Sequence, residues 1–145
     1  MIPDDVPAGP VVIDTDVFSF FLTRRGRHGE FEALVAGHGL TLSFATVGEL
    51  RAGAINANWG APRRNDLEAQ IRKFVVLPAT DRVTKLYAPL HARFIGQLPA
   101  NGANDLWTAA CALAQTPSLS VVTNNVKDFL PIRDEFGLQL VHPDL

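Results

Sequence analysis

The chain has one cysteine, Cys111, in 145 residues, so an internal disulfide is excluded. That thiol lies in the apolar stretch "WTAACALA" and reads as a buried structural group rather than a nucleophile. Long apolar runs are missing as well. No uncharged segment approaches the ~20 residues of a membrane span, and "MIPDDVPAGP" lacks the basic and apolar regions of a secretory signal. A cytoplasmic, non-membrane protein is the expectation. The four histidines, His28, His38, His91 and His142, show no ligand spacing, which together with the lone cysteine disfavours a zinc centre. Positive charge is not in excess either. Thirteen Lys and Arg against 15 Asp and Glu give a net charge of −2, which taken alone disfavours a nucleic-acid partner. That exclusion weakens if several acids are gathered in one site, because the remaining surface is then slightly basic.

What is present is enough apolar material for one packed domain. Hydrophobic residues make up 47% and charged residues 19%, a balance that offsets chain entropy. A chain of this length buries about two-thirds of its unfolded surface as one domain. Residues 1–9, rich in Pro, Gly and Asp, read as a loose, flexible lead-in, and residues 10–145 as a single domain without repeats or linkers.

"VVID" is a β-branched run suited to a buried strand. "TDVFSFFLTRR" follows at helical spacing, with Phe18, Phe21 and Leu22 on one face and Val17 and Phe20 on another, so it must be covered on two sides. This apolar surplus points to a homodimer. A helix with Phe31, Leu34 and Val35 comes next, then a strand "LTLSF" and helices over "ATVGELRAGAINAN" and "PRRNDLEAQIRKF". "FVVLP" is a third strand. From Thr80 a further helix carries Val83, Leu86, Tyr87, Leu90 and Phe94, and Pro89 should kink it. After the polar turn "PANGAN", "DLWTAACALAQ" is apolar nearly all round and hence a central helix; "LSVVT" and "LQLV" are the last strands. Strands that are near-continuously apolar and alternate with helices imply an α/β fold, a mostly parallel sheet covered on both faces. Such sheets bind ligands beyond the carboxyl ends of their strands.

Acids fall at that rim. Asp14 ends the first strand, where it could equally cap the next helix. Asp105 opens the buried helix after a turn, with the alternative of an N-cap shared with Asn104. Glu49 stands off the Val47, Leu50 and Ala54 stripe of its helix. Two glycines there, Gly48 and Gly53, cost roughly 1 kcal/mol each relative to Ala and point to close approach of another segment. In "VVTNNVKDF", Thr123, Asn125 and Asp128 follow a strand, a polar turn on the simplest reading. Packed together, such carboxylates repel and raise one another's pKa, so the cluster calls for a cation. Magnesium, with its preference for hard oxygen ligands, is the natural occupant, and a metal so held promotes phosphodiester hydrolysis.

"IDTDVF", "VGELRAG", "NDLWTAACAL" and "VVTNNVKDF", in this order over most of the chain, resemble the PIN-domain ribonucleases, most closely the VapC toxins of toxin–antitoxin modules. By that resemblance Asp14, Glu49 and Asp105 match the three core acidic ligands. Asp128 is the choice for a fourth, with Asn125 and Thr123 as supporting polar groups, and Asp16 matches a variable position. The resemblance further implies a five-stranded sheet of order 3-2-1-4-5, Mg²⁺ or Mn²⁺ dependence, an RNA substrate, homodimerisation, and a VapB-like antitoxin whose tail plugs the active site. Arg24, Arg25, Arg27 and His28 could contact RNA phosphates as one basic cluster, or form a solvated loop around Gly26 and Gly29.

Rival readings fit less of the chain. "DTDVF" also matches the nucleophile motif of haloacid-dehalogenase-like phosphatases, with Asp14 attacking phosphate. Too little chain follows "VVT" for the lysine and acids that chemistry needs. A receiver-like module wants a phosphorylatable Asp ending the third strand, and "FVVLPAT" offers none before Asp81. A non-catalytic PIN-like binding module remains an alternative to the enzyme.

Overall fold

The computed structural model describes residues 1–99 and 102–145. Val11–Ile13 form strand β1, and all three side chains are fully buried. Their environment alternates with the pleat: Val11 and Ile13 enter one apolar core and Val12 enters another. β1 is therefore a central strand with a core on each face, which is why its sequence shows no polar alternation.

The other elements dress those two faces. Helix α1 spans Thr15–Thr23 and α2 His28–Val35; β2 runs Leu40–Ser43, followed by α3 Phe44–Asn56 and α4 Ala61–Ile71. Phe18, Phe31, Leu34, Val47, Leu67 and Ile71 from these helices fill the first core. β3 covers Val75–Leu77, α5 Asp81–Phe94 and α6 Gly102–Ala114; β4 is Ser120–Val122, α7 Val126–Phe136 and β5 Leu140–Val141. Leu90, Leu106, Ala109, Phe129 and Ile132 from the later helices fill the second core. The strands lie in the order β3-β2-β1-β4-β5 and every pairing is parallel, for example Val12 opposite Val121 and Leu42 opposite Val76. The result is three layers, helices on both sides of one sheet. Chain direction across the sheet reverses at β1, which puts a crevice at the carboxyl ends of β1 and β4.

Several local expectations change. The lead-in carries structure: Pro3–Asp5 form a 3-10 turn, Val6 is buried in the first core, and the amino terminus bonds the Pro143 carbonyl at 3.0 Å. α5 runs through Pro89 to Phe94. α6 begins a turn earlier than expected, at Gly102, so Asp105 lies inside its first turn rather than opening it. "VVTNNVKDF" is no simple turn, because Val126 starts α7, which carries Asp128 in its first turn and ends at Gly137 with a φ of 73°. Among the described residues nothing approaches Gly48 or Gly53 within 4 Å of where a Cβ would stand. Cys111 is fully buried, and burial pushes its thiol up to about 11, as befits a structural cysteine.

The apolar surplus of "VFSFFL" is absorbed within the chain. Val17 and Phe18 are buried, and Phe20, Phe21 and Leu22 pack on the same core. Exposed apolar residues lie elsewhere, notably Val75 at 64% and Val76 at 41% on the edge strand β3.

Candidate active site

Asp14 is the first residue beyond β1, and its backbone N–H still bonds the Val122 carbonyl of β4 at 2.9 Å. The sheet thus fixes its position. It is also the N-cap of α1, with Oδ1 accepting from the Thr15 N–H at 2.9 Å. The capping role and the site role coincide, since Oδ2 accepts from Thr123 Oγ1, at the end of β4, at 2.8 Å. The carboxyl is 6% exposed. Burial, then the charges of Asp16 and Asp105, push its pKa from 3.8 to about 8, against the opposing bonds from Thr123 and Thr15.

Four further acids surround the same hollow. A cleft of about 220 Å³ is lined by Asp14, Thr15, Asp16, Glu49, Pro99, Asp105, Asn125 and Asp128. α6 carries Asp105 in its first turn, where burial and the charges of Asp128, Glu49 and Asp16 push its pKa from 3.8 to about 7. Asp16 sits one residue into α1, accepting from the Val17 N–H at 2.7 Å and the Asn124 N–H at 3.2 Å. Burial raises its pKa too, and those backbone donors oppose the rise. Glu49 projects from α3 and takes a hydrogen bond from the Asn104 amide of α6. Asp128 accepts from Asn125 Nδ2 at 2.7 Å, and the Asn125 N–H donates to Thr123 Oγ1 at 2.9 Å.

Four segments distant in sequence are therefore brought to one rim. Beneath them, buried hydroxyls tie α3 to α6: Ser43 Oγ caps α3 through the Thr46 N–H at 3.1 Å and lies 3.4 Å from Thr108 Oγ1. Neither this hydroxyl pair nor the Asn104–Glu49 contact was read from the sequence. The signal for the first was "SFAT", a cap box position before a helix; the second links residues 55 apart and left none.

The donor set fits a hard divalent cation. It consists of carboxylate oxygens, and burial followed by the neighbouring acids pushes two of the carboxyls up to about 8 and about 7. Among the described residues no three His, Cys, Asp or Glu side chains close on one point as a finished metal cage. The acids line an open cleft instead, which suits magnesium, an ion that keeps several waters and takes one or two carboxylates directly.

The expected arginine cluster does not exist as one face, and none of its members lines the cleft. Arg24 pairs with Glu32 at 2.8 Å, and His28 Nδ1 lies 3.5 Å from the same carboxylate. Arg27 grips Glu30 and, at 2.8 Å, Asp144. Arg25 turns to a separate hollow at the far end of α1. The scatter has a local cause: Arg24 takes a left-handed φ of 57°, and the chain then turns at Gly26, where a Cβ would strike the Phe20 ring at 2.7 Å.

The family model of the PIN domain matches residues 11–129, which spans four of the five strands, the cleft and all five acids. The chain belongs to the PIN domain family. Solved structures agree on the fold. This PIN domain superposes on a chain of the VapBC2 complex of Rickettsia felis bound to a promoter DNA fragment with a TM-score of 0.71 and 21% identity, covering 90% of this chain and 96% of that one. A DNA-bound VapBC from Salmonella typhimurium gives 0.69 and 22%, covering 92% and 98%. The VapBC-5 complex of Mycobacterium tuberculosis gives 0.67 and 25%, covering 94% and 99%. No curated protein matches the PIN domain by sequence.

Proposed function

We propose that this PIN domain is a magnesium-dependent endoribonuclease and the toxin of a toxin–antitoxin module. One observation carries the reading: Asp14, Asp16, Glu49, Asp105 and Asp128 converge on one cleft, and Asp14 and Asp105 are pushed to about 8 and about 7. Carboxylates so arranged call for a cation rather than a proton. Asp14, Glu49, Asp105 and Asp128 are the ligand candidates, and Mn²⁺ is expected to substitute for Mg²⁺.

Bound there, magnesium supplies Lewis-acid charge for phosphodiester hydrolysis by water. The protein's share is positional. Thr123 and the Thr15 N–H hold both oxygens of Asp14, Asn104 orients Glu49, and Asn125 orients Asp128. Asp14 has both oxygens engaged, by the Thr15 N–H and the Thr123 hydroxyl, which argues against its use as a phosphatase nucleophile.

The same cleft accounts for a protein inhibitor. A cationic side chain from an antitoxin tail, an arginine by choice, could pair with these carboxylates and compete with metal and substrate. The likeness to VapBC complexes supports such a VapB-like partner. A homodimer in the cytoplasm completes the proposal, with Val75 and Val76 of the edge strand β3 as neighbouring exposed apolar residues. Among the described residues no helix is long and apolar enough to cross a membrane. The test is cleavage of single-stranded RNA by the purified chain, present with Mg²⁺, absent with EDTA, and lost in Asp105→Asn.

A further inference from the structure

Five of the ten arginines are engaged by acids. Arg24, Arg27, Arg51, Arg93 and Arg133 pair with Glu32, Glu30, Glu68, Glu135 and Asp134 respectively. Arg25, Arg63, Arg64, Arg72 and Arg82 make no ion pair among the described residues, and two of these five, Arg25 and Arg63, line one hollow of about 260 Å³. Leu22, Thr23 and Arg25 form its wall at the end of α1, and Trp59, Arg63 and Asp66 form the other at the α3–α4 turn.

The hollow has the chemistry of a nucleotide contact. The Arg63 guanidinium lies 3.9 Å over the Trp59 ring, and Trp59 in turn packs on the first core. The guanidinium plane is therefore backed by an anchored aromatic while Arg63 itself is exposed. Planes of this kind stack unpaired bases in single-stranded RNA. Arg25, exposed beside it, supplies a phosphate-binding charge, and Asp66 is the lone acid in the lining. Position matters too. Thr15 lines the catalytic cleft and Thr23 lines the hollow, so the length of α1, ~12 Å at 1.5 Å per residue, separates them. A strand lying in the cleft reaches the hollow within a few nucleotides.

We propose that the Arg25–Arg63–Trp59 hollow is a second binding site for single-stranded RNA, holding a base and a phosphate a few nucleotides from the scissile bond. The inference rests on the reading of the cleft as an RNA-cutting site and extends it to substrate length. It also gives a chain of net charge −2 a place to hold a polyanion, because two unpaired guanidiniums meet in one hollow.

The test uses the full chain and a dye-labelled, short single-stranded oligoribonucleotide, with EDTA present so that nothing is cut. Arg63→Gln should weaken binding about tenfold, and Arg63→Lys, which keeps the charge but not the plane, should restore it only in part. Arg25→Gln should weaken binding and make the slope of log affinity against log salt shallower by about 0.7, the loss of one phosphate contact on a single strand. Both residues are exposed, and unchanged circular dichroism establishes that the variants fold. Wild-type affinity and slope in both variants would overturn the proposal. So would equal losses on a poly-glutamate peptide, which would make the hollow a contact for acidic protein segments. Cleavage with Mg²⁺ is measured separately. A cutting wild type with unaffected variants removes the hollow alone, whereas variant-sensitive binding by an inert wild type removes the nuclease reading alone.

Discussion

Thr123 Oγ1 donates a hydrogen bond to Asp14 Oδ2 at 2.8 Å, joining the ends of β4 and β1 across 109 residues of chain. The bond is buried and favours the ionised form of a carboxyl that burial and neighbouring acids otherwise keep protonated. It is the protein's own substitute for part of the missing positive charge.

Thr123→Val keeps the shape and removes the donor. Asp14 should then hold its proton to still higher pH, and because a ligand must be deprotonated, Mg²⁺ affinity at pH 7 should fall about tenfold. Titration calorimetry checks this. Unchanged affinity in a folded variant would mean that Asp14 is not a ligand.

Stability without metal should depend on pH in an unusual direction. Asp14 and Asp105 bind their protons more tightly when folded, at about 8 and about 7, than at the ordinary 3.8. The folded state thus carries more protons than the unfolded one across that window, and stability present below the ordinary value is lost as pH rises through the folded values. The thermal midpoint in EDTA should be lower at pH 8 than at pH 5. Mg²⁺ should restore much of the loss at pH 8, and Asp14→Asn should flatten the profile. A metal-free midpoint that rises over this range contradicts the assignment.

Asp16 and Asp105 line the same cleft yet should differ under amide substitution. Asp105→Asn removes a proposed ligand and should abolish cleavage. Asp16→Asn removes a charge that raises Asp14 and keeps an acceptor oxygen for only one of the Val17 and Asn124 N–H groups, so cleavage should slow but persist. Single-turnover assays at saturating Mg²⁺ separate the two, and equal losses would promote Asp16 to a ligand.

The parts of the fold legible in the sequence were those governed by local pattern. "VVID", "LTLSF" and "LSVVT" are apolar because both faces of a central parallel strand are buried, and that needs no knowledge of partners. Asp14, Asp105 and Asp128 could be placed because each follows a strand or lies near a helix start, and Glu49 because it stands off the apolar stripe of its helix. What escaped depends on distance in sequence. α7 was hidden by Pro131 and by the polar residues that introduce it. The arginine loop looked like one cationic face until Glu32 and Asp144, the latter 117 residues away, claimed Arg24 and Arg27. α1 looked too apolar for one layer because Phe31 and Trp59, which share its core, are supplied by other segments.

That last correction moves the expected dimer contact. With α1 packed on its core, the adjacent exposed valines of the edge strand β3 are the apolar feature that also offers a second copy unpaired backbone. Light scattering at tens of micromolar should report a dimer, and Val75→Lys with Val76→Lys should shift it towards monomer. A wild-type monomer at that concentration would remove the homodimer from the proposal.

The central claim is that the carboxylate cleft holds magnesium and cuts RNA. The most direct measurement pairs Mg²⁺ titration calorimetry with cleavage of single-stranded RNA, on one preparation of wild type, Asp14→Asn and Asp105→Asn. The account predicts binding and cleavage in the wild type, with both lost in each variant while the circular dichroism spectrum is unchanged. Cleavage at the wild-type rate by either variant, or cleavage that persists in EDTA, would contradict it.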